Sequence, residues 1–282
     1  MNCQQILNEG IKYLKINKIL NPKLDSELIL SKVLNKKREE ILINLNYEIN
    51  QMQYLKYNEY LNRRKNNEPI AYILGFKNFW KYKFLTNSSA LIPRPETEHI
   101  IEQSMSYLPL NKSRSILDIG TGSGCIVISL LKERSKCKAT AIDISIKALK
   151  IAKTNAKLHH LENKIQFFNI DIDKFNSNKY DLIISNPPYI NNVDLNRLDN
   201  NVKFFEPKEA LSGGLDGYRE IKKVVKKSSE LLKYNGKLII EIGNNQKNYV
   251  LKLLKDNDFF INNICKDLSG KDRCIVSTRN NR

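Results

Sequence analysis

The chain has 282 residues, 41% of them apolar and 27% charged, which is the composition of a globular protein with a sizeable core. No segment approaches the ~18 consecutive apolar residues that a membrane-spanning helix requires, and no signal peptide is visible, so we expect a soluble, cytoplasmic protein without a membrane partner. The net charge of +17 would favour polyanions such as RNA, but the lysines are dispersed and not interleaved with aromatic residues, so an ordinary solvated surface is the favoured interpretation.

Cysteine and histidine usage argues against a metal site. The 5 cysteines are widely scattered and lack Cys-x-x-Cys spacing, and only 3 histidines are present. We therefore predict reduced structural thiols and no bound metal.

The first part of the chain has helical periodicity. Leu7, Ile11 and Leu14 fall four and three residues apart, and Pro22 stands where a second helix would begin. We predict a small helical bundle that forms an N-terminal domain over residues 1–75.

A strand pattern follows the bundle. Between Phe79 and Phe84 aromatic residues alternate with lysines, as in a half-buried strand, and residues 87–89 supply a turn. We predict a β-hairpin linker over residues 76–95.

From residue 96 onward, strand-like segments alternate with segments of helical periodicity. This βαβα order is typical of α/β proteins in which a doubly wound, mostly parallel sheet carries helices on both faces. We predict one domain over residues 96–282 with a seven-stranded sheet. The predicted strands are 115–118, 139–143, 165–170, 180–185, 237–242, 259–266 and 274–278, and the predicted helices are 124–133, 146–159, 218–233 and 246–256.

A glycine-rich turn follows the first of these strands. Glycines alternate at Gly120, Gly122 and Gly124, so backbone can approach a ligand closely. The third glycine comes one residue earlier than in the dinucleotide-binding pattern, which favours a nucleoside without phosphates. Asp118 at the strand end can attract the positive amino-acid head of S-adenosylmethionine. The candidate cofactor contacts in this segment are Asp118, Gly120, Thr121, Gly122, Ser123 and Gly124.

Acidic residues end the next two strands. Asp143 can accept both ribose hydroxyls, and Asp171 can bond the adenine amino group while Ile172 covers the ring. Each acid alone could equally be a helix cap or a surface charge. Their occurrence at successive strand ends favours a cofactor site.

The fourth strand leads into Asn186-Pro187-Pro188-Tyr189. The two prolines lock the backbone and remove two donors. The Asn186 side-chain oxygen and the Pro187 carbonyl can both accept from one NH2 group, and Tyr189 offers a flat wall for a planar group. The segment predicts methyl transfer to an amide or amino nitrogen, with an ordinary β-turn as the alternative.

The chain resembles the amino-methyltransferases that share an Asn/Asp-Pro-Pro-aromatic motif. A more specific resemblance, over essentially the whole chain, is to the peptide chain release factor glutamine methyltransferases, also called the HemK family, which belong to the Rossmann-like class of methyltransferases. The segments that carry it are Leu91 to Glu98, Asp118 to Cys125, Asn186 to Ile190, Glu206-Pro207, Ala210-Leu211, Gly213-Gly214, Asp216-Gly217, Glu241 to Gly243, and Gln246.

That resemblance implies N5-methylation of the glutamine in the Gly-Gly-Gln motif of class I release factors, with S-adenosylmethionine as methyl donor. It implies that the N-terminal domain helps to grip the release factor, and no stable nucleic-acid partner is expected. Gly120 to Gly124, Asp143 and Ile172 fall at the family's cofactor positions, although an aromatic residue often replaces Ile172. Asn186 to Tyr189 fall at its glutamine-binding positions; the catalytic candidates are Asn186, Pro187 and Tyr189, and Asn186 also borders the cofactor.

Two alternatives and several roles stay open. The same loop could grip the exocyclic amine of a flipped adenine or guanine, or the chain could bind the cofactor without catalysis. For Arg94 and Glu96 a structural role is favoured over contact with the release factor. Glu206 could shape the glutamine pocket or buttress a loop.

Overall fold

The computed structural model describes residues 1–280, which divide into two compact units. The first unit contains Met1–Phe76 and Asp199–Phe205, and the second contains Lys77–Leu198 and the residues from Glu206 onward. The domain boundaries predicted after residues 75 and 95 remain predictions.

The helices and strands follow the order expected of an α/β chain with a helical N-terminal region. The α-helices are α1 (Cys3–Ile16), α2 (Pro22–Leu34), α3 (Arg38–Ile43), α4 (Gln51–Lys65), α5 (Ile70–Leu74), α6 (Glu98–Tyr107), α7 (Cys125–Glu133), α8 (Ile146–Leu158), α9 (Asn192–Leu195), α10 (Asn200–Lys203), α11 (Arg219–Leu231) and α12 (Lys247–Asp256). The strands are β1 (Phe76–Phe79), β2 (Tyr82–Leu85), β3 (Ser115–Ile119), β4 (Lys138–Asp143), β5 (Ile165–Asn169), β6 (Tyr180–Ser185), β7 (Leu232–Glu241), β8 (Phe259–Lys266) and β9 (Asp272–Arg279). Within residues 1–280, no helix combines the length and apolar character needed to cross a membrane.

The first unit is the small helical bundle that the periodicity predicts. α1 begins at a capping box in which Asn2 accepts from the Gln5 backbone and Gln5 bonds back to Asn2. Pro22 opens α2, because a missing N–H costs nothing in a helix's first turn. The apolar faces meet in a core that includes Ile6, Leu14, Ile29, Leu30 and Tyr57.

A β-hairpin is present, but its turn was predicted at the wrong place. Phe79 to Phe84 is not one strand: β1 ends at Phe79, the chain turns at Trp80, and β2 begins at Tyr82. Trp80 has a left-handed φ of 55°, and its N–H donates to Glu98 at 2.7 Å while its indole donates to Glu133 at 3.0 Å. These two carboxylates hold a conformation that β propensity alone disfavours. The turn expected at residues 87–89 follows the hairpin as a separate feature.

The second unit contains the predicted seven-stranded, mostly parallel sheet, with strand order β5-β4-β3-β6-β7-β9-β8. The first five strands are parallel, and β9 runs antiparallel to both of its neighbours. Successive residues point to opposite faces: Ile116 and Ile184 join one buried cluster, and Leu117 and Ile183 join the other. β7 begins at Leu232 rather than at residue 237 as predicted.

The strand order places the candidate site. β4 and β5 lie on one side of β3 in the sheet, and β6 and β7 lie on the other side. The carboxyl end of β3 is therefore a topological switch point, where α/β proteins bind their ligands. Ile119, the last residue of β3, pairs in register with Ser185, the last residue of β6. The loops that begin at Gly120 and Asn186 are therefore neighbours.

Candidate active site

The glycine turn after β3 exposes bare backbone. Gly120 and Gly122 have φ values of 71° and 57°, and a Cβ atom at either position would meet no atom within 4 Å from the described residues other than its chain neighbours. Gly124 is different, since a Cβ there would lie 2.9 Å from the Ile128 side chain and 3.3 Å from Ala152, which places it in the packing of α7 against α8. The first two glycines thus leave an open cradle, whereas the third allows helix packing.

Asp118 is turned into the protein beneath this cradle. Its side chain is fully buried, and its Oδ2 atom accepts from the Thr121 hydroxyl at 2.6 Å. Burial raises the pKa of Asp118 to about 7. Its Oδ1 atom has no hydrogen-bond partner among the described residues, and neither has the Ser123 hydroxyl. Contact of Asp118 with the amino-acid head of a cofactor remains a prediction, and the geometry adds a role in fixing the turn.

Asp143, at the end of β4, is held by backbone donors. Its Oδ2 atom accepts from Gly122 N–H at 2.9 Å and its Oδ1 atom accepts from Ser145 N–H at 2.8 Å. Burial raises the pKa of this carboxyl above its ordinary value. Each oxygen keeps a further lone pair, so the carboxylate is oriented and still able to accept from ribose hydroxyls.

The third acid lies in a different environment. Asp171 Oδ1 accepts from Asp173 N–H at 3.0 Å, and Oδ2 lies 3.2 Å from the Lys223 ammonium. Although partial burial by itself would raise it, these two donors hold the pKa of Asp171 below its ordinary value. Ile172 is buried in the apolar cluster that also contains Phe175. Their roles at adenine remain predictions.

The loop after β6 is tied to two buried side chains from distant segments. The Asn186 Nδ2 atom donates to Thr97 Oγ1 at 3.0 Å, and the Thr97 hydroxyl donates to Glu241 Oε2 at 2.7 Å. The Tyr189 hydroxyl donates to the other Glu241 oxygen, Oε1, at 3.2 Å. One carboxylate therefore anchors both polar side chains of the Asn-Pro-Pro-Tyr segment.

Gln246 braces the backbone of the same loop. Its Nε2 atom donates to the carbonyls of Tyr189 and Gly217, each at 3.1 Å, and its Oε1 atom accepts from Gly243 N–H at 2.8 Å. A Cβ at Gly243 would lie 2.8 Å from Tyr189 Cδ2, so a glycine is required for the close approach of the ring. The loop is rigid because neighbouring backbone and side chains fix it from several directions.

Arg94 and Glu206 form an ion pair with each other. Arg94 Nη2 donates to Glu206 Oε1, and the other Glu206 oxygen accepts from Ile92 N–H at 3.2 Å. Glu206 is 5% exposed, so the pair holds the segment around Pro93 from inside the fold. This geometry favours the structural roles over direct substrate contact for both residues.

Thr97 and Glu241 contact the side chains of the Asn186 loop, and neither residue was predicted from the sequence to belong to the candidate site. Both lie within segments that carry the family resemblance, so a signal was present. A sequence pattern could not reveal that these two side chains are in contact, because their hydrogen bond joins residues 144 positions apart. The glycine turn, Asp143 and the Asn186 loop are brought to one edge of the sheet, as predicted, by the pairing of β3 with β4 and β6.

Comparison with known proteins shows the family to which the chain is similar. Residues 5–75 match the family model described as the PrmC N-terminal domain, and residues 102–206 match the methyltransferase small domain. A release factor glutamine methyltransferase of Buchnera aphidicola subsp. Schizaphis graminum is 39% identical, with 97% of this chain and 98% of that protein covered. A bifunctional methyltransferase of Rickettsia bellii is 36% identical; 97% of this chain is covered, but it spans only 54% of that protein.

A solved structure shows the same fold. The methyltransferase from Pyrococcus furiosus superposes with a TM-score of 0.52 at 16% identity, and the match covers 70% of this chain and 89% of that one. The sheet order and the glycine turn at its switch point define a Rossmann-like methyltransferase. Within that class, the chain belongs to the release factor glutamine methyltransferase family, as its similarity over nearly the full length of the Buchnera protein shows.

Proposed function

We propose that this protein methylates the N5 amide nitrogen of the glutamine in the Gly-Gly-Gln motif of class I release factors, with S-adenosylmethionine as methyl donor, and so supports translation termination. The observation that carries the proposal is the pairing of Ile119 with Ser185, which sets the glycine cradle beside the Asn186 loop. A release factor substrate would place the protein in the cytoplasm.

The cradle fits a nucleoside cofactor. Gly120 and Gly122 leave open space where side chains would otherwise stand, and Asp143 presents an oriented carboxylate beside them. Asp118 contributes a buried oxygen that has no hydrogen-bond partner within residues 1–280. S-adenosylmethionine, when bound, supplies an electrophilic methyl group; the residues that would hold it are Asp118, Gly120 to Gly124, Asp143, Asp171, Ile172 and Asn186.

The acceptor side must orient a poor nucleophile. An amide nitrogen shares its lone pair with the carbonyl, so positioning and polarisation must lower the barrier. The Asn186 oxygen and the Pro187 carbonyl would accept the two N–H bonds of the glutamine amide, and the Tyr189 ring would stack on its plane. Methylation makes the nitrogen acidic, so its proton can pass to water or to Asn186 without a dedicated base.

The nucleic-acid alternative has less support. Three of the four lysines in α11 are paired with carboxylates: Lys222 with Asp216 at 2.9 Å, Lys223 with Asp171 at 3.2 Å and Lys227 with Glu230 at 2.9 Å. Binding without catalysis is disfavoured too, because the Asn186 loop is complete and braced. The names of the relatives point to a release factor.

A transfer assay separates these alternatives. The protein would be incubated with labelled S-adenosylmethionine and either a class I release factor, ribosomal RNA or DNA. We expect label in the release factor only, and none when its Gly-Gly-Gln glutamine is replaced by alanine. Label in nucleic acid alone would overturn the glutamine assignment, and a lack of transfer to any acceptor would favour a binding module.

A further inference from the structure

We propose that Thr97 and Glu241 are positioning residues that fix which end of the Asn186 side-chain amide faces the acceptor nitrogen. This inference rests on the proposed glutamine methylation and deepens it, because it explains how Asn186 is kept as a hydrogen-bond acceptor. An asparagine amide has an oxygen at one end and an NH2 group at the other, and the two are nearly the same size. Only the oxygen can accept an N–H of the substrate amide.

The hydrogen bonds from Asn186 to Thr97 and from Thr97 to Glu241 form a relay whose members come from separate elements; Thr97 and Glu241 are buried and Asn186 is half-buried. Thr97 ends a short 3-10 turn before α6 and is 3% exposed, and Glu241 ends β7 and is 2% exposed. The distances are 3.0 Å from Asn186 Nδ2 to Thr97 Oγ1 and 2.7 Å from Thr97 Oγ1 to Glu241 Oε2. Burial of Thr97 and Glu241 excludes the water that could otherwise bond to the Thr97 hydroxyl and the Glu241 carboxylate.

Counting protons gives the direction of the relay. An ionised carboxylate can only accept, so the single hydroxyl proton of Thr97 must go to Glu241. Thr97 Oγ1 is then left as an acceptor toward Asn186, which selects the NH2 end of that amide. The oxygen of Asn186 therefore faces away from Thr97. This conclusion follows from donor and acceptor types and not from an assumed amide orientation.

The second Glu241 oxygen reinforces the arrangement. It accepts from the Tyr189 hydroxyl at 3.2 Å, so a protonated Glu241 would have to give up one of two acceptor roles. If the relay is reversed, the Asn186 NH2 group would meet the substrate NH2 group and no hydrogen bond would form. We expect such a loss to slow turnover by roughly 10- to 100-fold. This is less than the roughly 10²- to 10³-fold effect of deleting a contact to the reacting atoms, because Asn186 itself stays in place.

The test replaces Thr97 while keeping its shape. T97V removes both the donor and the acceptor, T97S restores both, and T86V is the matched control, since Thr86 is also buried but its hydroxyl has no hydrogen-bond partner among the described residues. For each variant, kcat and KM would be measured with a release factor, and the Kd for S-adenosylmethionine by calorimetry. We expect T97V to lower kcat by about 10- to 100-fold with little change in Kd. T97S and T86V should stay within a few-fold of the original protein.

The outcomes separate this inference from the proposed function. If the original protein does not methylate the release factor, the proposed function fails. If it does and T97V has the same kcat, or if T97V and T86V lose equal activity, the positioning role is contradicted. Should T97V fail to fold, E241Q tests the same relay with a side chain of the same size: kcat should fall or lose its dependence on pH, and an unchanged kcat with an unchanged pH profile contradicts the inference.

Discussion

The backbone N–H of Gly122 donates a 2.9 Å hydrogen bond to the carboxylate of Asp143. The residue expected to accept the ribose hydroxyls thus also holds the turn expected to lie against the nucleoside. Because the two loops share this bond, we expect ribose recognition and the shape of the glycine cradle to depend on each other.

Substitution of Asp143 should affect both. We predict that D143A weakens binding of S-adenosylmethionine by about 1 to 3 kcal/mol, since it removes acceptors for the ribose and leaves the N–H groups of Gly122 and Ser145 without their partner. Calorimetry with the purified variant measures this change. Equal affinity of D143A and the original protein would remove Asp143 from the cofactor site.

The open space at the cradle can be tested with a pair of glycines. Gly122 and Gly270 have φ values of 57° and 79°, and a Cβ at either position would meet no atom within 4 Å from residues 1–280, its chain neighbours apart. Alanine at each should cost about 1 to 2 kcal/mol of folding stability through backbone strain. We predict that only G122A loses cofactor affinity, because its methyl group would occupy the cradle. Thermal unfolding and calorimetry on both variants check this, and equal affinity losses would contradict it.

Gln246 should matter for turnover more than for cofactor binding. We predict that Q246A lowers kcat and costs about 1 to 3 kcal/mol of stability, because two backbone carbonyls and one N–H lose their buried partner. The control is Q103A, since the Gln103 side chain accepts from the exposed Asn263 side chain at 3.1 Å, away from the acceptor loop. Chemical denaturation and steady-state kinetics provide the two measurements. If Q246A loses more cofactor affinity than kcat, Gln246 does not act mainly by holding the Asn186 loop in place.

The relay through Glu241 predicts an acid limb in the pH profile of kcat. Burial, with a smaller contribution from the Glu96 charge, raises the pKa of Glu241 to about 7. The hydrogen bonds from Thr97 and Tyr189 and the charge of Arg273 oppose this rise. The uncharged groups facing it are Thr97, Tyr189 and Cys274, its cross-strand partner on β9. Ionised Glu241 only accepts, so the productive Asn186 orientation is fixed above this pKa, and kcat should fall as the pH drops through about 7.

Two variants identify the group responsible for that limb. E241Q should flatten the profile, because an amide does not titrate in this range. The pKa of Asp118 is also raised by burial to about 7, so D118N, assayed at saturating cofactor, must retain the fall in kcat. A limb that persists in E241Q or disappears in D118N would assign it to another group.

The sequence was sufficient for the fold because strand alternation and glycine spacing are local signals. It predicted the parallel strand ends that unite Gly120, Asp143 and Asn186. It did not predict the hairpin turn at Trp80. There two carboxylates, one from α6 and one from α7, hold a left-handed conformation that no local sequence pattern indicates. Thr97 and Glu241 were missed for the same reason, since their contact depends on tertiary packing.

The most direct test is mass spectrometry of the Gly-Gly-Gln peptide from a release factor incubated with S-adenosylmethionine and this protein. We predict one methyl group on the glutamine side-chain nitrogen with the original chain. With N186A, turnover should fall by roughly 10²-fold while cofactor affinity changes little. An unmodified glutamine, a methyl group on another residue, or full methylation by N186A would contradict the account.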